Sequence, residues 1–155
     1  MRPVRIARRT ASSPVTDRGA DPRVARIPVH RRFSDLDPLG HVNNVVFHDY
    51  LQEARVGLLR DFRLVHGHGF SQVVVKQEIT HRKPLLLAPE PVMIETWVAR
   101  LGNSSYTLRY RIIDEHGDVA AEASTVLAVV DQESGRPVRM VAELRAVLEP
   151  LRIQE

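Results

Sequence analysis

Arg32-Phe33-Ser34-Asp35-Leu36-Asp37-Pro38-Leu39-Gly40-His41-Val42-Asn43-Asn44 runs without interruption into Val45-Val46-Phe47-His48-Asp49-Tyr50-Leu51-Gln52-Glu53-Ala54-Arg55. The first part, Asp35 to Gly40, has turn composition, with Asp before Pro and Gly close behind. In the second part Phe47, Tyr50, Leu51, Ala54, Leu58 and Phe62 recur at i, i+3, i+4 and i+7. That is one buried stripe, and it predicts a single long helix from Val45 to about Phe62. Asn43 or Asn44 is the expected N-cap, because a short side-chain oxygen can accept the free N–H groups there. His66-Gly67-His68-Gly69 is expected to end the helix.

Upstream, the run from Val24 to Phe33 reads as a strand, with Pro28 pointing to a sheet edge. Downstream, everything reads as antiparallel sheet. Ser71 to Thr80 and Val92 to Leu101 are candidate strands, with Pro84, Pro89 and Pro91 between them. Tyr106, Leu108, Tyr110 and Ile112 alternate with Thr107, Arg109 and Arg111, a period of two. Asp114 to Asp118 is a hairpin turn in which Gly117 is free to take positive φ. Val119 to Val130 is the last long strand, and Val141 to Leu151 reads as a short closing helix. One strand, one long helix and then a run of strands is an α+β plan. A single helix covers only one face of such a sheet, and the last strand carries apolar residues on both faces, so a homo-oligomer is expected.

The turn and the helix start together carry the chemistry. Two carboxylates and a histidine stand against a helix N-terminus, where unpaired N–H groups and partial positive charge can hold a developing negative oxygen. A carboxylate beside it can serve as nucleophile or as general base toward water. Acyl transfer needs that combination.

Asp-x-Asp-x-x-Gly-His-Val-Asn-Asn, followed by an aromatic-bearing helix and Glu53-Ala54-Arg55, resembles the 4-hydroxybenzoyl-CoA thioesterase branch of the hotdog superfamily. The Asp35-Leu36-Asp37 and His41-Val42-Asn43-Asn44 pieces also resemble plant acyl-ACP thioesterases. The order of elements matches from Val24 to Leu151. The resemblance implies a long central helix wrapped by a five- to six-stranded antiparallel sheet, with active sites at the interface of a homodimer or homotetramer. It implies hydrolysis of an acyl-CoA or acyl-ACP thioester without a cofactor. Position by position, Asp37 matches the catalytic carboxylate and the Asn44 backbone N–H the oxyanion donor. His41 matches the histidine that the plant enzymes carry four residues after the aspartate. Leu39 stands where those enzymes have asparagine, so their full triad does not transfer. Asn43, Ser104 and Ser105 match positions near the substrate channel, and Arg82 and Lys83 are candidates for the CoA phosphates.

Other residues have plainer readings. An Asp before Pro alone would be only a turn residue, and it is the Gly-His-Val-Asn-Asn context that gives Asp37 its chemistry. Asp35 reads as a structural hydrogen-bond acceptor, and Glu53 as a partner for Arg55 or for a neighbouring strand. His48 is expected to be exposed or at an interface. His66 and His68 lie in a Gly-rich turn without a nearby acid and suggest a solvated loop rather than a metal site. Tyr50, Phe62 and Trp97 read as core or interface.

With 155 residues and 43% hydrophobic composition, the chain has material for one real core. It has no cysteine, which excludes disulfides and thiolate chemistry and fits a cytoplasmic protein. No apolar run reaches the roughly 20 residues of a membrane span. Residues 1–34 hold nine arginines against two aspartates, a local +7 in a chain of net +3, so the remainder stands at −4. The basic character therefore belongs to an N-terminal arm, residues 1–22, read as disordered, and the domain of residues 23–155 offers no basic face for nucleic acid. The competing functional class is a non-catalytic hotdog module that binds acyl-CoA.

Overall fold

The structure is a computed structural model that describes residues 20–59 and 69–154. Most of the basic arm, Phe62, His66 and His68 lie outside the described residues. The described residues open with a turn in which the Val24 N–H donates to the Asp21 carbonyl at 3.0 Å. The Arg23 guanidinium pairs with the Asp21 carboxylate at 2.7 Å.

The elements follow as β1 (Ala25–Val29), α1 (Val46–Leu58), β2 (Phe70–His81), β3 (Val92–Leu101), β4 (Ser105–Ile113), β5 (Val119–Asp131) and α2 (Ala142–Leu148). The strands form one antiparallel sheet in the order β1-β3-β4-β5-β2. This is the α+β hotdog arrangement, with five strands and α1 as the long helix. The α1 stripe of Phe47, Tyr50, Leu51 and Ala54 is at most 2% exposed and shares one core with Ile94, Val98, Leu108, Ile112 and Val129. Gly57 brings α1 close to the edge strand, since a Cβ there would lie 3.2 Å from Ile27 Cγ2. Among the described residues no helix is long and apolar enough to cross a membrane.

Several boundaries depart from the sequence reading; the long helix, expected to run to about Phe62, ends at Leu58. The first strand stops at Val29 rather than Phe33. The Arg31 side chain turns inward there, donating to the Leu86 and Glu90 carbonyls at 2.8 Å each, and a 3-10 turn at Phe33–Asp35 follows. Helix α1 begins at Val46, and the residue before it has no side-chain cap. Asn43 instead caps the turn ahead of the helix, its Oδ1 accepting the Val45 N–H at 2.9 Å. At the other end α2 closes at Leu148, and Glu149–Leu151 tightens to a 3-10 turn containing Pro150, which has no N–H to continue an α-helix.

The sheet's two faces differ. On β5, Ala121, Ala123, Thr125, Leu127 and Val129 are buried toward the helix, while Glu122 is exposed and Ser124, Val126, Ala128 and Val130 are half-buried. The outer face also carries Trp97, with the Arg111 guanidinium 5.3 Å from its ring centroid. Among the described residues β2 pairs with β5 and stands at the end of the sheet. Its Val73, Val74 and Val75 are 41%, 48% and 63% exposed.

Candidate active site

The Asp-Pro turn folds as a miniature hairpin. Leu36 and Val42 form an antiparallel bridge. The Asp37 N–H donates to the His41 carbonyl at 2.8 Å, and the Gly40 N–H to the Asp37 carbonyl at 3.0 Å. Pro38 supplies the fixed φ of the second turn position. Gly40, at φ +78, takes the left-handed step that lets the chain return. The Asp37 Oδ1 is held by this backbone, accepting from the Leu39 N–H at 2.9 Å and more weakly from His41 N–H at 3.4 Å. The Oδ2 has no protein donor among the described residues.

Asp37 lines a cavity of about 330 Å³ with Leu39, His41, Asn44, Phe47, His81, Arg82 and Lys83. Asn44 is exposed in the turn just before α1. Its backbone N–H has no protein acceptor among the described residues. The cavity therefore combines a half-free carboxylate and a free N–H beside a helix N-terminus, where a carbonyl oxygen is favoured.

Of the other residues singled out by sequence, the structure brings some here and not others. Asn43 is exposed and acts through its cap and its N–H, which donates to the Asp35 carbonyl at 2.9 Å. Arg82 and Lys83 reach the cavity, but both are paired: Arg82 with Glu122 at 2.6 Å, and Lys83 with Asp114 at 2.7 Å and Asp118 at 2.9 Å. Hydrogen bonds to Asp114 and then Asp118 raise the Lys83 pKa. Ser104 and Ser105 lie at the opposite end of the sheet, where their carbonyls accept the Val129 and Gly102 N–H groups. From Ser105 to Ile112, which neighbours the His81 end of the sheet through Ala121, β4 runs about 24 Å.

His81 was not singled out by sequence. It ends β2, and its ring meets Phe47 edge-on with centroids 4.7 Å apart. The available signal was parity, because His81 is two residues beyond Ile79, which packs on the core.

Asp35 braces the site from beneath. At 2% exposure it accepts the Arg32 N–H at 2.8 Å, the Arg32 Nε at 3.0 Å and the Tyr50 hydroxyl at 2.7 Å. Burial alone would raise its pKa. The Arg32 N–H, the Tyr50 hydroxyl and the Arg32 guanidinium outweigh burial and hold it below the usual carboxylate range.

A polar seam runs along the β2 side of α1. The Arg55 Nη1 donates to Gln77 Oε1 at 2.7 Å and to Thr125 Oγ1 at 3.4 Å. The Thr125 hydroxyl donates to the same Gln77 oxygen at 2.9 Å, and Gln77 Nε2 meets His48 Nδ1. Close by, the Tyr110 hydroxyl is buried without a well-formed hydrogen bond. Burial raises its pKa against the neighbouring Thr125 and Arg55. The expected Glu53–Arg55 pair does not form, because residues two apart on a helix point to opposite sides. Glu53 instead lines a larger cleft of about 710 Å³ between β1 and α1, with His30, Arg32, Asp49 and Gln52. That cleft includes neither Asp37 nor Asn44, so size and chemistry select different hollows. Among the described residues no group of three or more histidines and carboxylates is arranged to hold a metal.

Residues 31–148 match the family model of the thioesterase-like superfamily. The chain is 29% identical over 120 residues to the long-chain acyl-CoA thioesterase FadM of Escherichia coli strain K12, covering 75% of this chain and 90% of that protein. A thioesterase from Thermus thermophilus, solved with coenzyme A and Zn, is 33% identical with a TM-score of 0.69, over 83% of this chain and 94% of that one. The PA5185 protein of Pseudomonas aeruginosa strain PAO1 is 29% identical with a TM-score of 0.76, over 83% and 91%.

Proposed function

The chain belongs to the thioesterase-like superfamily, and from that membership we propose that it hydrolyses an acyl-CoA thioester at the Asp37 cavity. The observation that carries this reading is the juxtaposition of two unsatisfied groups. The Asp37 Oδ2 and the Asn44 N–H, neither with a protein partner among the described residues, line the same 330 Å³ hollow. With the thioester carbonyl oxygen accepting from the Asn44 N–H, Asp37 either attacks the carbonyl carbon or removes a proton from the attacking water. The helix end and the Asn44 N–H stabilise the tetrahedral oxyanion. Its collapse expels the CoA thiolate, and water supplies the oxygen and protons of the free acid and the thiol. His41, held at the end of the turn, contacts the substrate or orients the carboxylate. Of the two basic residues, Arg82 has a single exposed carboxylate partner and Lys83 has two. Arg82 is therefore the one assigned to a CoA phosphate.

The working unit is a homodimer formed through the outer edge of β2, which pairs with no other strand among the described residues. Antiparallel self-pairing reverses one sheet relative to the other and carries the β3–β4 turn of a second copy toward this Asp37 cavity. Ser104 and Ser105 of that copy then border the channel, a place they cannot reach in their own subunit.

The test is free-thiol release from aliphatic and aromatic acyl-CoAs and from acyl-ACP, with wild type and Asp37→Asn side by side. Wild type is expected to turn over a CoA ester, and Asp37→Asn to lose about a thousandfold or more in kcat while still binding substrate. Equal rates in the two proteins remove Asp37 from the chemistry. Binding of acyl-CoA with no turnover of any ester identifies a binding module instead.

A further inference from the structure

Two imidazoles line the Asp37 cavity, and they belong to different elements. His41 closes the Asp-Pro hairpin, its carbonyl accepting the Asp37 N–H at 2.8 Å and its own N–H lying 3.4 Å from Asp37 Oδ1. His81 is the last residue of β2 and lies outside that hairpin. Its place follows from register. Gln77, Ile79 and His81 stand opposite Thr125, Ala123 and Ala121, all of them buried, and directly paired residues share a face of the sheet. This side of the strand therefore looks at the helix. Gln77 meets His48, and His81 meets Phe47 in the first turn of α1, edge-on with centroids 4.7 Å apart.

The Phe47 ring is 1% exposed and fixes one side of the imidazole. His81 is otherwise exposed, and its ring nitrogens bond to no protein group among the described residues. Arg82 and Lys83 follow it directly and line the same cavity. With the carbonyl oxygen at the Asn44 N–H and Asp37 facing the carbonyl carbon, the sulfur takes the remaining side. The CoA arm leaves toward the two basic residues, so that side is the one His81 flanks. Imidazole is the side chain most often used to hand a proton to a leaving group.

We propose that His81 is the general acid that protonates the departing CoA sulfur. This rests on the hydrolase reading and adds where the leaving group takes its proton. On either route through Asp37, collapse of the tetrahedral intermediate breaks the C–S bond and sends its electron pair to sulfur. The protonated imidazole gives that sulfur its proton, so CoA departs as the thiol, and the neutral ring regains a proton from solvent. Water supplies the oxygen that ends on the acyl carbon, and its displaced proton returns to solvent through Asp37. The net change is water and thioester to acid and thiol.

The experiment uses esters of one acyl group that differ in their need for an acid. A nitrothiophenyl ester needs it least, the CoA thioester more, and the ester of the CoA analogue with oxygen in place of the sulfur most. For each, kcat/KM is read in wild type, His81→Gln and His81→Phe. Both variants are expected to lose about a hundredfold on the CoA thioester, more on the oxygen ester and little on the nitrothiophenyl ester. His81→Phe keeps a ring against Phe47 and removes the proton, so wild-type rates in it reduce His81 to packing and overturn the proposal. Equal losses on all the esters overturn it too, since a structural role does not sort leaving groups. So does the graded loss if it appears in His41→Gln instead. Turnover that Asp37→Asn abolishes and the His81 variants leave unmoved keeps the hydrolase reading without this one. No turnover of any ester by wild type overturns both.

Discussion

Asp35 and Asp37 are two residues apart and have opposite environments. Asp35 is sealed, with its oxygens taken by Arg32 and Tyr50, while Asp37 keeps one oxygen free over a cavity. Because the folded-state pKa of Asp35 is depressed, its contribution to stability is fully present above the unfolded value, near 3.8, and is lost as pH falls through the lower folded value. Asp35→Asn should therefore unfold about 1–3 kcal/mol more easily at neutral pH. The gap should narrow steadily below about pH 4, read from urea midpoints at a series of pH values. A pH-independent gap would mean that Asp35 acts through shape rather than charge. At this scale the sequence was legible where grammar is local: the Asp-Pro turn and its context marked Asp37, His41 and Asn44 together. Arg55 was not legible, because a long polar side chain on a helix flank gives no sign of whether it turns in or out, and His81 could be found only through its parity with Ile79.

The elements were more legible than their ends. The helical stripe from Phe47 to Leu58 and the alternation in β4 follow from neighbouring residues alone, and both stand where expected. The inward set of β2 does not, because a register shift between Val74 and Lys76 resets its parity. Gln77, Ile79 and His81 then face inward by a count that only the partner strand defines. The closing helix, α2, is held by burial rather than by capping. Its Leu144 and Leu148 are fully buried, and the Arg145 guanidinium donates to the Gly102 carbonyl at 2.5 Å. Leu144→Ala should cost about 2–5 kcal/mol, measured as a lower Tm. The kcat at 25 °C should stay near that of wild type, since α2 packs at the end of the sheet away from Asp37. A variant that keeps its Tm and loses kcat would place α2 in the site instead.

For the whole molecule the decisive feature is the outer edge of β2, which pairs with no further strand among the described residues. An exposed valine-rich edge invites a further strand, and in the proposed homodimer that strand is its own copy. Val74→Lys combined with Val75→Lys should set like charges across the junction and weaken self-association by roughly tenfold or more. Sedimentation velocity would show monomers, and specific activity would then rise with protein concentration. Full activity in a monomeric variant would mean that one chain holds a complete site. The charge reading of the sequence expects a body without a basic face; on the outer sheet Arg111 pairs with Glu95 at 2.9 Å and Arg82 with Glu122. Oligomer geometry was beyond the sequence, since it depends on which strand ends at the edge. The Asp37 carboxylate, meanwhile, is gripped by main-chain N–H groups, which every residue but proline supplies. Side chains of the loop other than Pro38 and Gly40 can therefore change while the carboxylate stays in place, so the hydrolysis proposed at Asp37 tolerates changes in the residues that face the acyl group.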